Sequence, residues 1–436
     1  MIQFDKYLCV GVTNFNASSC QMNGCELWCY DGKGWIQSVG NRVGASIGAG
    51  FGNVNNAECS VLIGFKGMLY AGTANNQNGC ELWRTKYPIN GTWERVVENG
   101  FGYPSNLAMW SAEVFNGSLY IGTINCPRGC QIWRSSDGEN FEPVVGGSSS
   151  TRDGFGEMMN IYAWYMKVYE GKLYVGTQNT FGGEIWRTAD GATWECVVGP
   201  RGNYPRGFQI IDQNWGIRTL TDFQGHLYAG TAAIPSVSLV LDIKGLFDTP
   251  RQVKLFTIPK KGLQIWRFNV SDDPNWECMV GGVIGWNRSA NGFGDNQNIY
   301  AWTMTVFNDS LYVGTFNVKH ENITLNFRDF IEYIKTNGNL VYLLGSDLVS
   351  KQGTGCQIWK TDDGHHWMQV IGNKQGGPGN GFGDVNNVGV RSMSLYQTYY
   401  NVNSWEDISS MNRIKSSSLI IGTINAATGC EIWKYQ

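Results

Sequence analysis

The sequence predicts an all-β protein, a seven-bladed β-propeller of four-stranded antiparallel blades. An LYxGTxN-like phrase followed by a GC(E/Q)(I/L)W phrase recurs seven times. Each copy is rich in Tyr, Val, Ile and Trp and is punctuated by Gly and Asn, which is typical of short strands joined by tight turns. Self-similarity at a period of about 50 residues is typical of propellers. The repeats begin at Leu8, Leu69, Leu119, Leu173, Leu227, Leu311 and Leu419.

The repeats extend from the first residues to the last, so we expect a single domain, residues 1–436. The net charge is −3 and no basic tract occurs, which argues against a nucleic-acid partner. No apolar run is long enough to cross a bilayer. Residues 1–6 do not resemble a signal peptide, because a strand pattern is already present at Phe4. The numbering therefore starts within a longer precursor, or the protein is made without an export signal.

Turn signals divide each repeat into four strands. The first strand follows a GFGxxxN-like loop, and an Asn-Gly or similar pair turns it into the LY strand. The GC(E/Q)(I/L)W phrase is the third strand, and a polar turn leads to the fourth. Blade one has only the end of a first strand, residues 1–4, and blade seven stops at its third strand, residues 430–433. We therefore expect an open edge on the last blade, and open edges invite pairing. A missing segment, a neighbouring domain or another subunit would supply the strand; the alternative is that the ring closes by side-chain packing alone.

The turns between third and fourth strands, residues 134–141, 187–194 and 360–367, resemble the Asp-box turns of sialidase-type propellers, one residue shorter than usual. The wider phrase GxEIWR…DGxxW…GFGxxxN…LYVGT is similar to the tandem propeller repeats of bacterial and archaeal secreted or cell-surface proteins. This resemblance covers nearly the whole chain. It implies the propeller fold, with the Asp and Gly of each turn building a structural hairpin, and it implies no activity, because one fold hosts many functions.

Three insertions interrupt the blades, at about 234–261 in blade five, 317–355 in blade six and 397–417 in blade seven. The first two connect second to third strands on adjacent blades, so we expect them to form a raised lip on one face. The third, with Tyr399, Tyr400 and Trp405, is expected on the opposite face. Apolar residues at helical spacing predict an amphipathic helix between Asn326 and Asn337, which packs on the disc or on a partner. These residues are Phe327, Phe330, Ile331 and Ile334.

First strands line the channel of a propeller, so their side chains are candidates for a ligand site. Trp faces can stack on sugar rings, and Arg forks bind carboxylates or sulfates. The alternative is that the tryptophans pack between blades and the arginines pair with carboxylates. The candidates stand four residues after the loop Asn and are Trp110, Trp164, Arg218, Trp302 and Arg391, with Ser60 in blade two.

Acidic residues in the loops before the first strands are weak calcium candidates. Asp295 and Asp384, with Glu157, stand beside Asn-rich sequence, and carboxylate and amide oxygens are calcium ligands. Other blades have Tyr103 or Asn53 at this position, which favours a role in shaping the backbone. The four histidines are scattered and predict no metal cluster. No other cofactor is expected.

Cysteines and sequons favour an extracellular or cell-surface protein. Twelve cysteines are many for a cytosolic chain. The candidate disulfides are Cys20 with Cys25, Cys126 with Cys130, and Cys9 with Cys29. Seven Asn-x-Ser/Thr sequons are weaker support, because a chain rich in these residues has several by chance. They stand at Asn16, Asn90, Asn116, Asn269, Asn287, Asn308 and Asn322.

Three functions fit this sequence. The leading hypothesis is a non-catalytic surface protein that assembles with copies of itself or with other envelope proteins. The second is a lectin-like module that binds a glycan or an anionic ligand in the channel. The third is a carbohydrate-active hydrolase or lyase, with Glu58 as one candidate acid. Two inner arginines fall short of the arginine triad of sialidase-type enzymes, and we assign no catalytic residue.

Overall fold

A computed structural model of the chain is an all-β protein whose strands pair antiparallel in seven consecutive groups, which we call units one to seven. Within the described residues, no helix is long and apolar enough to span a membrane. The structure describes residues 1–16, 21–126, 128–208, 214–233, 237–241, 252–257, 262–269, 275–281, 289–318, 323–326, 354–373, 377–399, 414–425 and 427–436.

Units one to four each pair four strands in chain order. Unit one contains Ile2–Phe4, Tyr7–Val12, Glu26–Tyr30 and Trp35–Val39, with the short pair Phe15–Asn16 and Gln21–Met22 in a connection. Unit two contains Glu58–Phe65, Met68–Ala74, Leu82–Thr85 and Glu94–Val97. Unit three contains Asn106–Phe115, Ser118–Asn125, Ile132–Ser135 and Glu142–Val145. Unit four contains Asn160–Tyr169, Lys172–Asn179, Ile185–Thr188 and Glu195–Val198.

Units five and six also pair four strands, and the described part of unit seven has three. Unit five contains Asn214–Phe223, His226–Ala233, Ile265–Asn269 and Asn275–Val280. Unit six contains Asn298–Phe307, Ser310–Asn317, Ile358–Thr361 and Met368–Ile371. Unit seven contains Asn387–Tyr399, Ile414–Asn425 and Ile432–Tyr435. The short first strand predicted for unit one is confirmed.

A buried hydrogen-bond network explains the Asn that precedes or opens each first strand. In unit four the Asn160 amide donates to the Gly154 carbonyl at 2.9 Å and to Glu184 Oε2 at 2.8 Å. Its Oδ1 accepts from Thr177 Oγ1 at 3.0 Å and from Asn179 Nδ2 at 2.9 Å. Both groups of the Asn160 side chain are therefore satisfied without water. The same position is held by Asn56, Asn106, Asn214, Asn298 and Asn387.

The backbone of this Asn also joins each unit to the preceding one. The Cys130 N–H of unit three donates to the Asn160 carbonyl at 2.7 Å, and the Gly154 N–H donates back to the Cys130 carbonyl at 2.7 Å. Six such joints connect units one to seven in order. The approach is close enough that a Cβ atom on Gly129 would lie 2.9 Å from the Gly154 Cα. The Gly of the GC phrase is therefore required by the joint.

Each GFG loop is held by an aromatic stack. Phe155 has a left-handed backbone with φ of 60°, which is costly for a residue with a side chain. Its ring lies parallel to that of Trp186 at 4.7 Å, and Trp194 packs edge-on against it at 5.3 Å. Trp186 in turn donates its Nε1–H to Glu184 Oε2 at 2.9 Å. These contacts offset the strain and link the loop to the third strand.

Unit seven meets unit one through side chains. Gln3 Nε2 donates to the Gln397 carbonyl and the Gln397 N–H donates to Gln3 Oε1, both at 2.8 Å. Tyr396 packs edge-on against Tyr30 at 5.9 Å. Gly429 holds the glycine position of the joint, but a Cβ atom there would meet no described atom within 4 Å. The closing contact is therefore looser than the other six.

The turns between third and fourth strands are hydrogen-bonded hairpins, as their resemblance to Asp-box turns implies. The Asp190 carboxylate accepts from the N–H groups of Ala192 at 2.8 Å and Thr193 at 2.7 Å. These hydrogen bonds lower the pKa of Asp190. A Cβ atom on Gly191 would overlap the Tyr120 phenol of unit three. The turn therefore shapes the rim and packs on the neighbouring unit.

The insertions of units five and six meet in a small sheet. Val237–Leu241 pairs with Gln252–Thr257, which pairs in turn with Ile323–Asn326. Asn326, the expected helix cap, ends this strand; the predicted helix, residues 327–337, lies outside the described residues. In unit seven the third insertion begins as an extension of the hairpin, with Tyr399 opposite Ile414. Its remaining residues, including Tyr400 and Trp405, lie outside the described residues.

Replacing Asn160 by Ala is expected to destabilise the fold by about 3 kcal/mol, because the buried Thr177 hydroxyl and Glu184 carboxylate lose a partner. The midpoint of chemical unfolding measures this loss. Asn203→Ala, at an exposed position, is the control and should leave the midpoint unchanged. Equal midpoints for the two variants would contradict a stabilising role for the network.

Replacing Asp190 by Asn tests the charged turn. Because the folded state lowers the pKa of Asp190, its carboxylate stabilises the fold above the unfolded pKa, and this contribution is lost as the pH falls through the folded value. The variant should melt below the wild type at neutral pH, and the difference should shrink as the pH falls below about 4. Asp309→Asn, in another exposed turn, is the control. A pH-independent difference would refute the electrostatic explanation.

Candidate functional site

The candidate channel residues share one structural feature, because each of them stands at a β-bulge. In units two to seven the register between first and second strands shifts by one residue at the same point. A bulge re-aims a side chain away from regular alternation. Neither periodicity nor composition shows these bulges in the sequence. The bulged residues are Ser60, Trp110, Trp164, Arg218, Trp302 and Arg391.

Two of the tryptophans lie on glycines of the next unit. The Trp164 ring covers Gly216, and the Trp302 ring covers Gly389, so that a Cβ atom on either glycine would overlap the indole. Trp164 is 6% exposed and Trp302 is 9% exposed. Each glycine stands two residues before its own unit's bulged residue. A Gly two residues before the bulge, in the unit that follows a bulged Trp, is a sequence signal for this packing that the sequence analysis did not use.

The aromatic rings form a continuous aromatic cluster across units three, four and six. Trp110 packs edge-on against Tyr162 at 5.6 Å, and Tyr162 lies 5.5 Å from Trp164. Trp164 contacts Tyr300 at 5.9 Å, and Tyr300 contacts Trp302 at 6.0 Å. Sequence reasoning found the three tryptophans and missed the two tyrosines, which also stand two residues before the bulges. Contacts between units three, four and six require their first strands to face one another.

Arg218 is buried within this cluster and is 4% exposed. Its guanidinium lies 5.1 Å from the Trp164 ring centre and 5.8 Å from that of Trp302, which is the distance of cation–π contacts. Burial lowers the pKa of Arg218, and the nearby positive charge of Arg391 lowers it further. The sequence alternative of a carboxylate partner is not realised for Arg218 among the described residues.

Arg391 has the opposite environment. Its guanidinium is 3.1 Å from Glu58 Oε1, and the two side chains are 30% and 21% exposed. It also lies 5.2 Å from the ring centre of Trp110 and 5.6 Å from that of Trp302. Glu58, the candidate acid, is therefore held as the counter-ion of Arg391. The two arginines differ in that one charge is neutralised and the other is not.

The calcium candidates act as hydrogen-bond acceptors in their loops. Asp295 Oδ2 accepts from Gln357 Nε2 at 3.0 Å and from an amide of the second strand. Asp384 Oδ2 accepts from Asn425 Nδ2 at 3.0 Å, and Glu157 Oε2 accepts from an arginine. Within the described ranges, no group of three His, Cys, Asp or Glu side chains could hold a metal ion.

The eleven described cysteines are free thiols, and Cys20 lies outside the described residues. Cys9 and Cys29 stand directly opposite each other on neighbouring strands, as the sequence suggests. The hydrogen bond from Cys9 and burial raise the pKa of Cys29. Among the sequons, Asn90, Asn116 and Asn308 are exposed and Asn269 is half-buried. The side chains at Asn16, Asn287 and Asn322 are outside the described set.

No protein-family model and no curated protein matches the sequence. Among solved structures, the chain is similar to the β-propeller domain of the Trilobed protease from Pyrococcus furiosus, at 8% identity and a TM-score of 0.42, covering 100% of this chain and 93% of that one. It is also similar to a putative 6-phosphogluconolactonase from Bacteroides fragilis, at 10% identity and a TM-score of 0.41, covering 99% and 94%.

A third similar structure is the phage phi92 endosialidase, at 13% identity and a TM-score of 0.39, covering 72% of this chain and 61% of that one. The chain is an antiparallel all-β protein, and β-propellers are among the solved structures that are similar to it over its full length. The activities in these names differ from one another. No activity passes to this chain at such low identity.

A disulfide between Cys9 and Cys29 is expected in protein isolated from an oxidising compartment, because the two residues are directly opposed. Mass spectrometry of a non-reduced digest measures the link. Cys356 is the control and should remain a thiol, since burial raises its pKa to about 12 and keeps it protonated. Finding every cysteine reduced in the natively expressed protein would count against export.

Proposed function

We propose that this protein is a non-catalytic, seven-bladed propeller of the extracellular space or cell surface, which assembles with a partner protein through the outer edge of unit seven. Seven sheets, linked by six backbone joints of one kind, support seven blades. Opposed cysteines and exposed sequons support export as a glycoprotein. The observation that carries the assembly function is the exposed strand Ile432–Tyr435.

This strand is exposed at positions that other units bury. Trp433 is 38% exposed, whereas Trp186, its equivalent in unit four, is 6% exposed. In units two to six a second aromatic ring packs against the loop Phe, at 5.1 to 5.6 Å between ring centres. Phe382 of unit seven stacks on Trp433 at 4.6 Å, and no second ring contacts it within the described residues. One aromatic position is therefore unfilled.

The other units indicate the chemistry of a strand that would pair with this edge. In unit four the fourth strand is antiparallel to the third and begins just after Trp194, with Trp186 opposite Cys196 and Arg187 opposite Glu195. An extended segment that carries an aromatic residue, then a Glu and β-branched residues, would repeat these contacts. Addition of such a strand to an exposed edge is a common mode of protein recognition. The partner is therefore a protein that presents an aromatic-led β-strand.

Glycan binding and carbohydrate chemistry are the alternatives. Trp164 and Trp302 lie on glycines of the next unit, and the Arg218 guanidinium lies against both rings, so their faces are not free to stack on a sugar. Glu58 is engaged by Arg391 at 3.1 Å. The edge of unit seven is, by contrast, open to solvent without rearrangement. The geometry therefore favours assembly over both alternatives.

A peptide with the sequence of residues 92–97, Thr-Trp-Glu-Arg-Val-Val, is the probe for this edge. Isothermal titration calorimetry should show saturable binding at one site. The same peptide with Trp replaced by Ala should bind about tenfold more weakly, because the aromatic anchor is lost. Phe382→Leu should weaken binding of the Trp peptide to a similar extent.

Met368→Ala, at an exposed position on the fourth strand of unit six, is the matched control and should bind the peptide as the wild type does. Equal binding of the Trp and Ala peptides, or no binding at all, would refute the proposal. Sedimentation of the peptide-free chain tests whether a second copy of the chain supplies the strand. A dimer that the peptide dissociates would show that two copies pair at this edge.

A further inference from the structure

Arg218 is a buried cation without an anionic partner. It is 4% exposed, and its guanidinium donates no hydrogen bond to any residue that the structure describes. Taking a charge out of water is costly unless it is paired and hydrogen-bonded. Cation–π contacts with Trp164 and Trp302 offset part of this cost but satisfy none of the guanidinium N–H groups. No described anion therefore neutralises the charge of Arg218.

Other buried polar groups on the strands next to Arg218 also have no partner among the described residues. The indole N–H groups of Trp164 and Trp302, the two rings that flank Arg218, are unpaired within the described structure. Gln178 is fully buried, and neither its amide N nor its carbonyl O has a partner there. The backbone of Gln178 pairs with Gly216, on which Trp164 lies. Because buried polar groups are almost always hydrogen-bonded in proteins, unpaired indole N–H groups beside the unpaired Arg218 guanidinium indicate a missing ligand.

The charge of the cluster indicates the charge of that ligand. Arg391 occupies the same bulge position in unit seven but is neutralised by Glu58 at 3.1 Å. One uncompensated positive charge therefore remains, on Arg218. A planar carboxylate can accept two parallel hydrogen bonds from a guanidinium. It therefore matches the geometry of Arg218 better than an anion that accepts only one hydrogen bond. A doubly charged phosphate would leave a second charge buried and unpaired.

Two partly exposed side chains lie close to Arg218. They are Arg391 and Glu58, which are 30% and 21% exposed and whose charges act on Arg218. The guanidinium of Arg391 lies 5.6 Å from the ring centre of Trp302, which also contacts Arg218. The rings beside Arg218 are aromatic, so they favour a ligand with an apolar or aromatic body.

We propose that Arg218, with Trp164 and Trp302 against it, anchors a binding site for the carboxylate group of a monoanionic ligand with an apolar or aromatic body. The guanidinium binds the two carboxylate oxygens, and the indole N–H groups are available to the rest of the ligand. This site is separate from the edge of unit seven, and its test does not depend on assembly.

The probe for this site is 4-fluorobenzoate, followed by fluorine NMR, with the uncharged 4-fluorobenzamide as its isostere. The wild type should bind the benzoate and should bind the benzamide at least about tenfold more weakly, because only the anion pairs with Arg218. Arg218→Met should reduce benzoate binding by about tenfold or more. Arg201→Met, the same change at an exposed position, should leave it unchanged.

The thermal midpoint of ligand-free Arg218→Met separates a binding role from a packing role. Because this variant replaces an unpaired buried charge with an apolar side chain of similar length, its midpoint should equal or exceed that of the wild type. A clearly lower midpoint would show that Arg218 is a packing residue and would overturn the proposal. So would equal binding of benzoate and benzamide, benzoate binding undiminished by Arg218→Met, tighter binding of inorganic phosphate, or no binding.

Discussion

The rest of the structure depends on one buried asparagine in each of units two to seven. Its side chain satisfies the polar groups of the second and third strands of its own unit, and its backbone carbonyl accepts from the preceding unit, as Asn160 does from Cys130. The hydrogen bonds within a unit and the connection between units therefore depend on the same residue. Because a hydrogen bond demands a short distance, the joint also requires glycine at the point of closest approach, as at Gly129.

Departures from this unit concentrate at two places. Unit five has Ala233 where Asn179 stands in unit four, and the Oδ1 of its buried Asn214 has no partner within the described residues. The joint does not recur between units seven and one, where Gln3 and Gln397 pair instead. Unit seven thus combines the loosest connection with the most exposed third strand. A partner strand at that edge would add contacts where the structure has fewest.

The bulged residues show how a repeated scaffold can carry a site that does not repeat. The bulge keeps one backbone geometry in units two to seven, so the side chain at that point is free to differ between units. It is Ser in unit two, Trp in three units and Arg in two. Neighbours then differ too: glycine lies under Trp164 and Trp302, and Glu58 lies beside Arg391. Arg218 is left between the rings of Trp164 and Trp302, near the charge of Arg391 and with no described carboxylate paired to it, which is the origin of its unpaired charge.

The sequence by itself determined the units, their strands and the residues at the bulge position, because period, turn residues and the Asn and Trp of each repeat are local signals. It identified Arg218 and Arg391 as equivalent, and it offered Glu58 as an acid without its partner. Only the tertiary structure decided that Glu58 neutralises Arg391 and that nothing described neutralises Arg218. It also showed that Asn326 ends a strand. Its pairing partner lies some 70 residues away in another insertion, so the local sequence does not reveal this strand. Such contacts join residues distant in sequence, and no local pattern encodes them.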